Sequence, residues 1–170
     1  MVIDQEQENV LLELLNTTPV VDGAVQDRLN APGAKAWQRA HGGNGTEEER
    51  GHLVRAREIL QDAVRGDYDA DALFELLDGV VHRPRIGDEG LVWDVQAPPE
   101  RRAAVQAVLT WYALHQNKPG RLRPCANPEC RLFLLDRSKP NKARWCSMAV
   151  CGNRMKARRH YQRVREEATE

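Results

Sequence analysis

The sequence predicts a mainly α-helical protein with a small β-hairpin, followed by a small treble-clef-like zinc module and a basic C-terminal helix. Three observations predict this class. Apolar residues recur at helical spacing over most of residues 1–117, alternation typical of strands is confined to one segment, and all four cysteines lie between residues 125 and 151. We therefore expect a helical domain at 1–117, a linker at 118–122 and a zinc finger with its basic helix at 123–170.

Two stretches near the N-terminus are predicted to be helical. Residues 4–16 place valine and leucine at helical spacing, which is typical of an amphipathic helix. Residues 24–45 fit a short helix and then a second one that starts after Asn30. Asn30 is the expected N-cap of the second helix, Pro32 lies in its first turn, and the glycines at 42–45 predict a loop.

The clearest helical pattern starts at Thr46 and ends at Gly66. Thr46 with Glu49 three residues later predicts a capping box, and a glycine at the end of the pattern is a typical C-cap. The predicted buried stripe of this helix consists of Leu53, Ala56, Leu60 and Val64. A shorter helix follows, and Asp69 or Asp71 is its expected N-cap.

A hairpin and one further helix complete the predicted helical domain. Two short strands are expected around a Gly87–Gly90 turn, and Pro84 is typical of an edge strand because proline cannot donate to a ladder. A helix then starts at Pro98 and Pro99. Its predicted inner side consists of Val105, Val108, Leu109, Tyr112 and His115.

Charge is sorted along the chain although the net charge is zero. Residues 1–117 contain 11 Lys and Arg against 20 Asp and Glu, a balance of −9, whereas residues 118–165 contain 14 against 2, a balance of +12. This asymmetry indicates an acidic body, residues 1–117, followed by a basic segment that binds a polyanion. The alternative is that the two halves pair with each other inside one fold.

The sequence shows neither a membrane span nor a secretory signal. No apolar stretch approaches the ~20 residues that cross a bilayer, and the first residues lack the basic and apolar regions of a signal peptide. We therefore expect a cytoplasmic protein, and in that compartment disulfides are rare and clustered thiols more often hold metal.

The cysteines form two Cys-x4-Cys pairs separated by 15 residues: Cys125, Cys130, Cys146 and Cys151. Each pair places two thiolates on one knuckle, and the loop between them brings the knuckles together, as tetrahedral zinc requires. Four thiolates leave no open coordination position, so the zinc is expected to be structural. Disulfides and unliganded thiols are the less favoured alternatives, and cysteine spacing alone does not exclude an iron–sulfur cluster.

The segment after Cys151 is predicted to be a basic helix. Lysine and arginine are dense between residues 154 and 165, where no acidic residue occurs. Ala157, Tyr161 and Val164 fall at i, i+4 and i+7, and we expect them to pack on the zinc module. Cations on both flanks of such a helix suit contact with phosphates or insertion into a groove.

Several segments closely resemble the CGNR zinc finger, which is named for the four residues that stand here at 151–154. They are CANPEC at 125–130, RWCSMAVCGNR at 144–154 and KARRH at 156–160. In that family the finger follows an N-terminal helical region called the ABATE domain, whose opening and next block resemble ELLNTT at 13–18 and AWQRAHG at 36–42. The resemblance implies a bacterial, stress-induced transcriptional regulator with a DNA-binding zinc finger.

The resemblance also implies roles for individual residues. It implies that Cys125, Cys130, Cys146 and Cys151 bind zinc, and that DNA contacts come from Arg154, Lys156, Arg158 and Arg159. With the residues that the basic pattern itself singles out, the predicted nucleic-acid contacts are Arg144, Asn153, Arg154, Lys156, Arg158, Arg159 and Arg163. Asn153 or Arg154 is the candidate base reader, although a helix cap is the favoured role of Asn153.

The predicted function is DNA-binding transcriptional regulation, with a structural Zn2+ in the finger. The N-terminal domain is expected to sense a small-molecule effector or to mediate homodimerisation, and the protein to associate with the nucleoid when it binds double-stranded DNA. The alternative is an adaptor whose zinc and arginines dock an acidic protein or RNA. We expect no enzyme activity, because the five histidines are scattered without a nucleophile or carboxylate at a telling spacing. Trp37, Trp93 and Trp111 are candidates to line an effector pocket, although core packing explains them more simply.

Overall fold

A computed structural model of the chain describes residues 3–88 and 90–167, which form a mainly helical fold with three two-stranded antiparallel ribbons. The helices are α1 Gln5–Leu15, α2 Ala34–Ala40, α3 Glu47–Arg65, α4 Ala70–Leu77, α5 Arg102–Asn117 and α6 Asn153–Glu167. A π-helical turn, Met148–Gly152, leads into α6. The strands are β1 Val20–Val21, β2 Ala24–Val25, β3 Val81–Gly87, β4 Gly90–Gln96, β5 Leu122–Pro124 and β6 Phe133–Leu135. Over these residues the predicted fold class is confirmed, and none of the helices has both the length and the apolar character that a bilayer crossing needs.

Helices α1, α3 and α5 enclose the hydrophobic core, and α4 packs at its side. The predicted stripe of α3 is confirmed, since its members are buried or half-buried: Leu53, Ala56, Leu60 and Val64. Gly66 ends α3 with a φ of 112°, as predicted from its position. Each fully buried leucine of this core contributes about 1.5–3 kcal/mol relative to an exposed one, so the core is the main source of stability.

The buried side of α5 differs from the prediction. Val108 is buried as expected, but Tyr112 is 53% exposed and His115 is exposed. Trp111 and Leu114 lie in the core instead. The reason is that α5 packs against α1, α3 and α4 at once. These three helices determine which side of α5 is buried, and the spacing of apolar residues within α5 does not reveal their positions.

The chain before Asn30 forms the β1–β2 ribbon, so the predicted short helix is wrong. Its Asp22–Gly23 turn has positive φ at both positions, 51° and 79°. An Asp-Gly pair between apolar residues favours this turn, because both residues tolerate the left-handed region. Gly33 is the N-cap of α2 and offers no side-chain bond. Asn30 therefore does not cap α2, and its side chain donates to the Asp27 carboxylate at 2.8 Å.

Thr46 caps α3 as predicted, but the capping box is only half formed. The Thr46 hydroxyl accepts from the Glu49 amide at 3.2 Å. The Glu49 carboxylate accepts from the amides of Asn44 and Gly45 at 3.0 and 2.9 Å instead of returning to Thr46. Because Glu49 is only 1% exposed, it holds the preceding loop against the helix. Of the two predicted candidates, Asp69 caps α4.

The cysteine module packs directly on the helical core. Phe133 of β6 is 1% exposed and lies in the same hydrophobic core as α1 and α3, with the Arg65 guanidinium 4.8 Å from its ring centre. The Asn16 side chain holds the same residue, because it accepts from the Phe133 amide at 2.7 Å and donates to the Phe133 carbonyl at 3.2 Å. Strand β5 begins at Leu122, the last residue of the predicted linker 118–122, and Leu122 also packs against the core.

Part of the basic segment pairs with the acidic body. Glu8 on α1 is 4% exposed and forms ion pairs with Lys118 and Arg137. Arg137 also donates to the Asn9 side chain at 2.7 Å. The alternative of pairing between the two halves therefore holds for these two cations.

Asn16→Ala is expected to loosen the contact between the module and the core. The substitution leaves the Phe133 amide without its partner, which costs about 1–3 kcal/mol for a buried donor. Asn9→Ala is the matched control, since Asn9 also contacts the module but is exposed. Urea unfolding of zinc-loaded protein should give a lower free energy of unfolding for Asn16→Ala, and a change within about 0.5 kcal/mol for Asn9→Ala. Equal losses in the two variants would contradict this role of Asn16.

Candidate metal centre and basic helix

The first cysteine knuckle is built at the end of the β5–β6 ribbon. Cys125 follows β5, and its amide donates to the Leu132 carbonyl at 2.8 Å. The Cys130 amide donates to the Asn127 carbonyl at 2.9 Å, which closes the turn between the two cysteines. The backbone therefore brings both thiols of this pair to the same side of a short loop.

The second knuckle forms the base of the basic helix. Cys151 lies inside the π-helical turn, and the Ser147 side chain caps this turn by accepting a backbone amide at 3.3 Å. The turn continues into α6 without a break, and the Asn153 side chain donates to the Ala149 carbonyl at 3.3 Å. The favoured role of Asn153 as an N-cap is therefore wrong. The helical structure already starts after Ser147, so the last cysteine sits within it.

The four cysteine sulfurs form a compact cluster that fits one zinc ion. All four Sγ atoms lie within 4.8 Å of one another, and Sγ of Cys146 is 3.7 Å from those of both Cys130 and Cys151. Zinc–sulfur bonds of about 2.3 Å in a tetrahedron place the sulfurs about 3.8 Å apart. None of the four cysteines is in a disulfide. The donor set and its spacing match a structural zinc site with four thiolate ligands, and they favour a single ion over a cluster of several iron atoms.

Besides the contacts among the thiols, three N–H donors of the described part of the module reach the cysteine sulfurs. These hydrogen bonds run from Asn127 Nδ2 to Cys151 at 3.4 Å, from the Leu132 amide to Cys130 at 3.5 Å, and from the Cys146 amide to Cys125 at 3.4 Å. Such donors stabilise thiolate charge and orient the ligands. Asn127 is 1% exposed, so its amide is committed to this task. The sequence did not identify it, because an asparagine before a proline indicates only a turn.

Two thiols of the cluster, those of Cys130 and Cys146, resist ionisation unless a cation is present. Burial raises the pKa of the Cys130 thiol to about 11, and burial together with the adjacent Cys130 also raises the pKa of Cys146. The pKa of Cys151 is lowered despite its burial, because the Asn127 amide and the neighbouring thiols donate hydrogen bonds to it. Zinc is bound by thiolates, so metal binding releases protons and weakens as the pH falls.

Asp136 organises the loop between the two cysteine pairs, a role that the sequence did not reveal. It is 3% exposed, and its carboxylate accepts from the amides of Ser138 and Ala143 at 2.9 and 2.7 Å and from Arg123 at 2.7 Å. Hydrogen bonds from Ser138 and Ala143, assisted by the Arg123 charge, hold the pKa of Asp136 at about 2. Because this pKa is lowered, the ionised carboxylate stabilises the folded state at pH values above the ordinary pKa of aspartate. This stabilisation is lost progressively as the pH falls from about 4, the ordinary pKa of aspartate, to about 2.

Helix α6 projects from the metal centre with nearly all of its surface exposed. Between Asn153 and Glu166, Met155 is half-buried and every other residue is exposed. The expectation that Ala157, Tyr161 and Val164 pack on the zinc module is wrong, since Tyr161 is 69% exposed and Val164 47%. Helix α6 contacts chiefly the π-helical turn before it. The direction of α6 is therefore set by the cysteine at its base. Packing of apolar side chains along the described part of the helix does not set it.

The two cationic flanks of α6 have different surroundings. The first flank contains Arg154 and Arg158. Arg158 forms an ion pair with Glu129 at 3.1 Å, and Arg154 lines a cleft beside the cysteines. The second flank, which we name the outer flank, consists of Lys156, Arg159 and Arg163. These three side chains are exposed and form no ion pair with a residue that the structure describes. The predicted contacts therefore divide into a partly neutralised set and a set that faces solvent.

The remaining candidate residues lie in separate places. Arg144 is exposed on the loop, with its guanidinium 5.1 Å from the ring centre of Trp145. Trp111 is buried in the core, Trp37 is partly buried on α2, and Trp93 is 59% exposed on β4. Core packing accounts for Trp111, and the effector pocket stays a prediction.

The comparison with known families supports the metal centre. Residues 121–164 match the family model of the CGNR zinc finger. No curated protein matches the chain. The matched segment covers about a quarter of the chain and contains the four cysteines and all the candidate nucleic-acid contacts. The C-terminal part is thus a zinc-binding module, whereas the ABATE-like assignment of residues 1–117 remains a prediction.

Proposed function

We propose that the CGNR zinc finger at residues 121–164 binds double-stranded DNA and that the chain is a transcriptional regulator. One observation carries the proposal. The outer flank, Lys156, Arg159 and Arg163, is exposed on a helix whose base contains the last cysteine ligand. When the four cysteines hold zinc, this base is anchored. The cations are then presented in one direction and not on a mobile tail.

The use of the other cations supports an anionic partner for the outer flank. Several of the cations that the structure describes between residues 118 and 165 are bonded inside the fold, among them Lys118, Arg121, Arg123, Arg137 and Arg158. In the outer flank, by contrast, Lys156 and Arg163 lie three and four residues from Arg159. Like charges at these spacings repel and destabilise a helix. A polyanion that binds along the flank relieves this repulsion, so the arrangement is better suited to binding than to solubility alone.

The shape of α6 supports duplex DNA as that polyanion. Its 15 residues correspond to about 22 Å of helix, and the major groove admits an α-helix. Because residues 3–120 carry most of the acidic side chains, the body repels DNA and leaves the finger as the contact face. The outer flank supplies phosphate contacts, and Asn153 and Arg154 are the candidates for base reading.

The N-terminal domain has a regulatory role in this proposal, either effector sensing or dimerisation. The alternative function is a zinc-stabilised adaptor that docks RNA or an acidic protein through the same cations. The two proposals differ in what the finger selects, because a regulator prefers particular duplex sequences and an adaptor does not.

Selection from a random duplex library tests the proposal. The zinc-loaded chain should enrich a defined sequence, and the same protein treated with a chelator should enrich none. A single-stranded RNA library of the same length serves as the control for general polyanion affinity. Enrichment of no duplex sequence, or equal retention of both libraries, would favour the adaptor and overturn the proposal.

A further inference from the structure

The β3–β4 ribbon is amphipathic, with one apolar and one polar face. The predicted hairpin is confirmed, and its register pairs Pro84 with Trp93, Ile86 with Leu91 and Gly87 with Gly90. Side chains that are paired across antiparallel strands lie on the same face, and the faces alternate along each strand. One face therefore consists of His82, Pro84, Ile86, Leu91, Trp93 and Val95. The opposite face carries Val81, Arg83, Arg85, Val92, Asp94 and Gln96.

The apolar face is uncovered at its outer end. Ile86 is 78% exposed, Trp93 59% and Leu91 58%. Within the described part of the chain, β3 and β4 pack chiefly on each other, and none of the helices contributes a substantial contact to the ribbon. An isolated two-stranded hairpin is at best marginally stable in water, and three or more strands or a packed helix are needed. The ribbon thus needs a cover that residues 3–88 and 90–167 do not provide.

We infer that the cover is a second copy of this chain, and that the apolar faces of two β3–β4 ribbons pack on each other across a two-fold axis. Two packed ribbons give four strands in two layers. This arrangement exceeds the three strands that a stable sheet needs, whereas a single ribbon has only two. Apart from His82, this face carries no ionisable side chain, so it offers no charge to the phosphates of a nucleic acid or to a strongly charged protein. A flat apolar strand surface is the complementary partner, and the same face of a second copy provides one.

Charge also favours this place for contact between two copies. The acidic body has a balance of −9, so two bodies repel each other over most of their surface. On the ribbon, Arg83 and Arg85 nearly balance the acidic residues, and Arg85 is paired with Asp94 at 3.0 Å on the polar face. Two ribbons can therefore approach without burying an unpaired charge. A two-fold contact of one face with itself is closed, so it produces dimers and no open chain of subunits.

Sedimentation of the zinc-loaded full chain tests the inference. At about 50 μM, well above a micromolar dissociation constant, the wild type should sediment with twice the chain mass of 19.3 kDa. Ile86→Asp should weaken the dimer at least about 100-fold, because a charge is placed in an apolar contact on both copies. Val92→Asp is the matched control, since it places the same residue in the same ribbon but on the polar face, and it should stay dimeric.

A second variant covers the case in which Ile86→Asp disturbs the hairpin. Ile86→Thr keeps a β-branched strand former and removes apolar surface, so it should raise the dissociation constant about tenfold while the circular dichroism is unchanged. The melting temperature of the wild type should also rise with protein concentration. A monomeric wild type, a dimer that survives Ile86→Asp, or equal dissociation by Ile86→Asp and Val92→Asp would each overturn the inference. None of these outcomes depends on DNA binding.

Discussion

Removal of zinc is expected to unfold part of the helical body together with the finger. Structural zinc contributes about 10–16 kcal/mol to the folding of small finger peptides at neutral pH. In this protein the finger is not a separate unit, because Phe133 lies in the same core as α1 and α3. Loss of the metal therefore removes an aromatic side chain from the body's own core, in addition to opening the two knuckles.

The thermal transition of the whole chain measures this coupling. Cys125→Ser should bind no zinc in a metal analysis, and its melting temperature should fall by at least about 10 °C, since 1 kcal/mol shifts a chain of this size by roughly 2–4 °C. Chelation of the wild type should give the same fall. Met148→Ser is the control, because it makes a similar change beside the cluster, at a 53% exposed position that supplies no ligand.

An unchanged helical transition in Cys125→Ser would contradict the coupling between the finger and the core. It would show that β5 and β6 leave the core without disturbing it. A loss of the same size in Met148→Ser would assign the effect to the local segment and not to the metal.

The second large effect is expected on DNA binding, when the outer flank is neutralised by Lys156→Gln, Arg159→Gln and Arg163→Gln together. Each lysine or arginine that contacts a phosphate contributes about 1 to the salt slope, so the slope should fall by about 3. At about 0.1 M salt the affinity for the selected duplex should fall roughly 100-fold. Fluorescence anisotropy at several salt concentrations measures both quantities.

Two controls make this prediction specific. Arg28→Gln, Lys35→Gln and Arg102→Gln remove the same charge from exposed positions on the body and should leave the salt slope unchanged. Arg158→Gln lies on the same helix, but Arg158 is paired with Glu129. Its loss should therefore cost less than the loss of any single residue of the outer flank. Equal effects of the two triple variants would mean that net charge, and not the outer flank, determines binding.

Short-range features of this fold were predictable from the sequence because their causes are local. The buried stripe of α3 follows from apolar spacing on one helix, and Thr46 and Gly66 fix its two ends by their own hydrogen-bonding and backbone properties. The metal centre is predictable for the same reason. Thiolates in two short pairs satisfy the coordination of zinc, whatever the rest of the chain does.

Most errors lie where the partner of a residue is distant in sequence, although one local signal was also missed. The Asp22–Gly23 turn was a local signal that the prediction of a short helix overlooked. The buried face of α5 is different, because three other helices determine it. The same holds for Asn16, whose partner Phe133 is 117 residues away. Periodicity reports which side chains favour burial, and it does not report what will cover them.

The sequence by itself determined the helical class, the zinc ligands and the basic character of the C-terminal helix. Only the tertiary structure decided that the finger shares a core with the body, and that the apolar residues of α6 stay exposed. It also separated the outer flank from Arg158, whose charge Glu129 neutralises. The physical reason is that ligand chemistry and helix periodicity act over a few residues. The direction of a helix and the pairing of a charge depend on contacts between segments that are far apart in the chain.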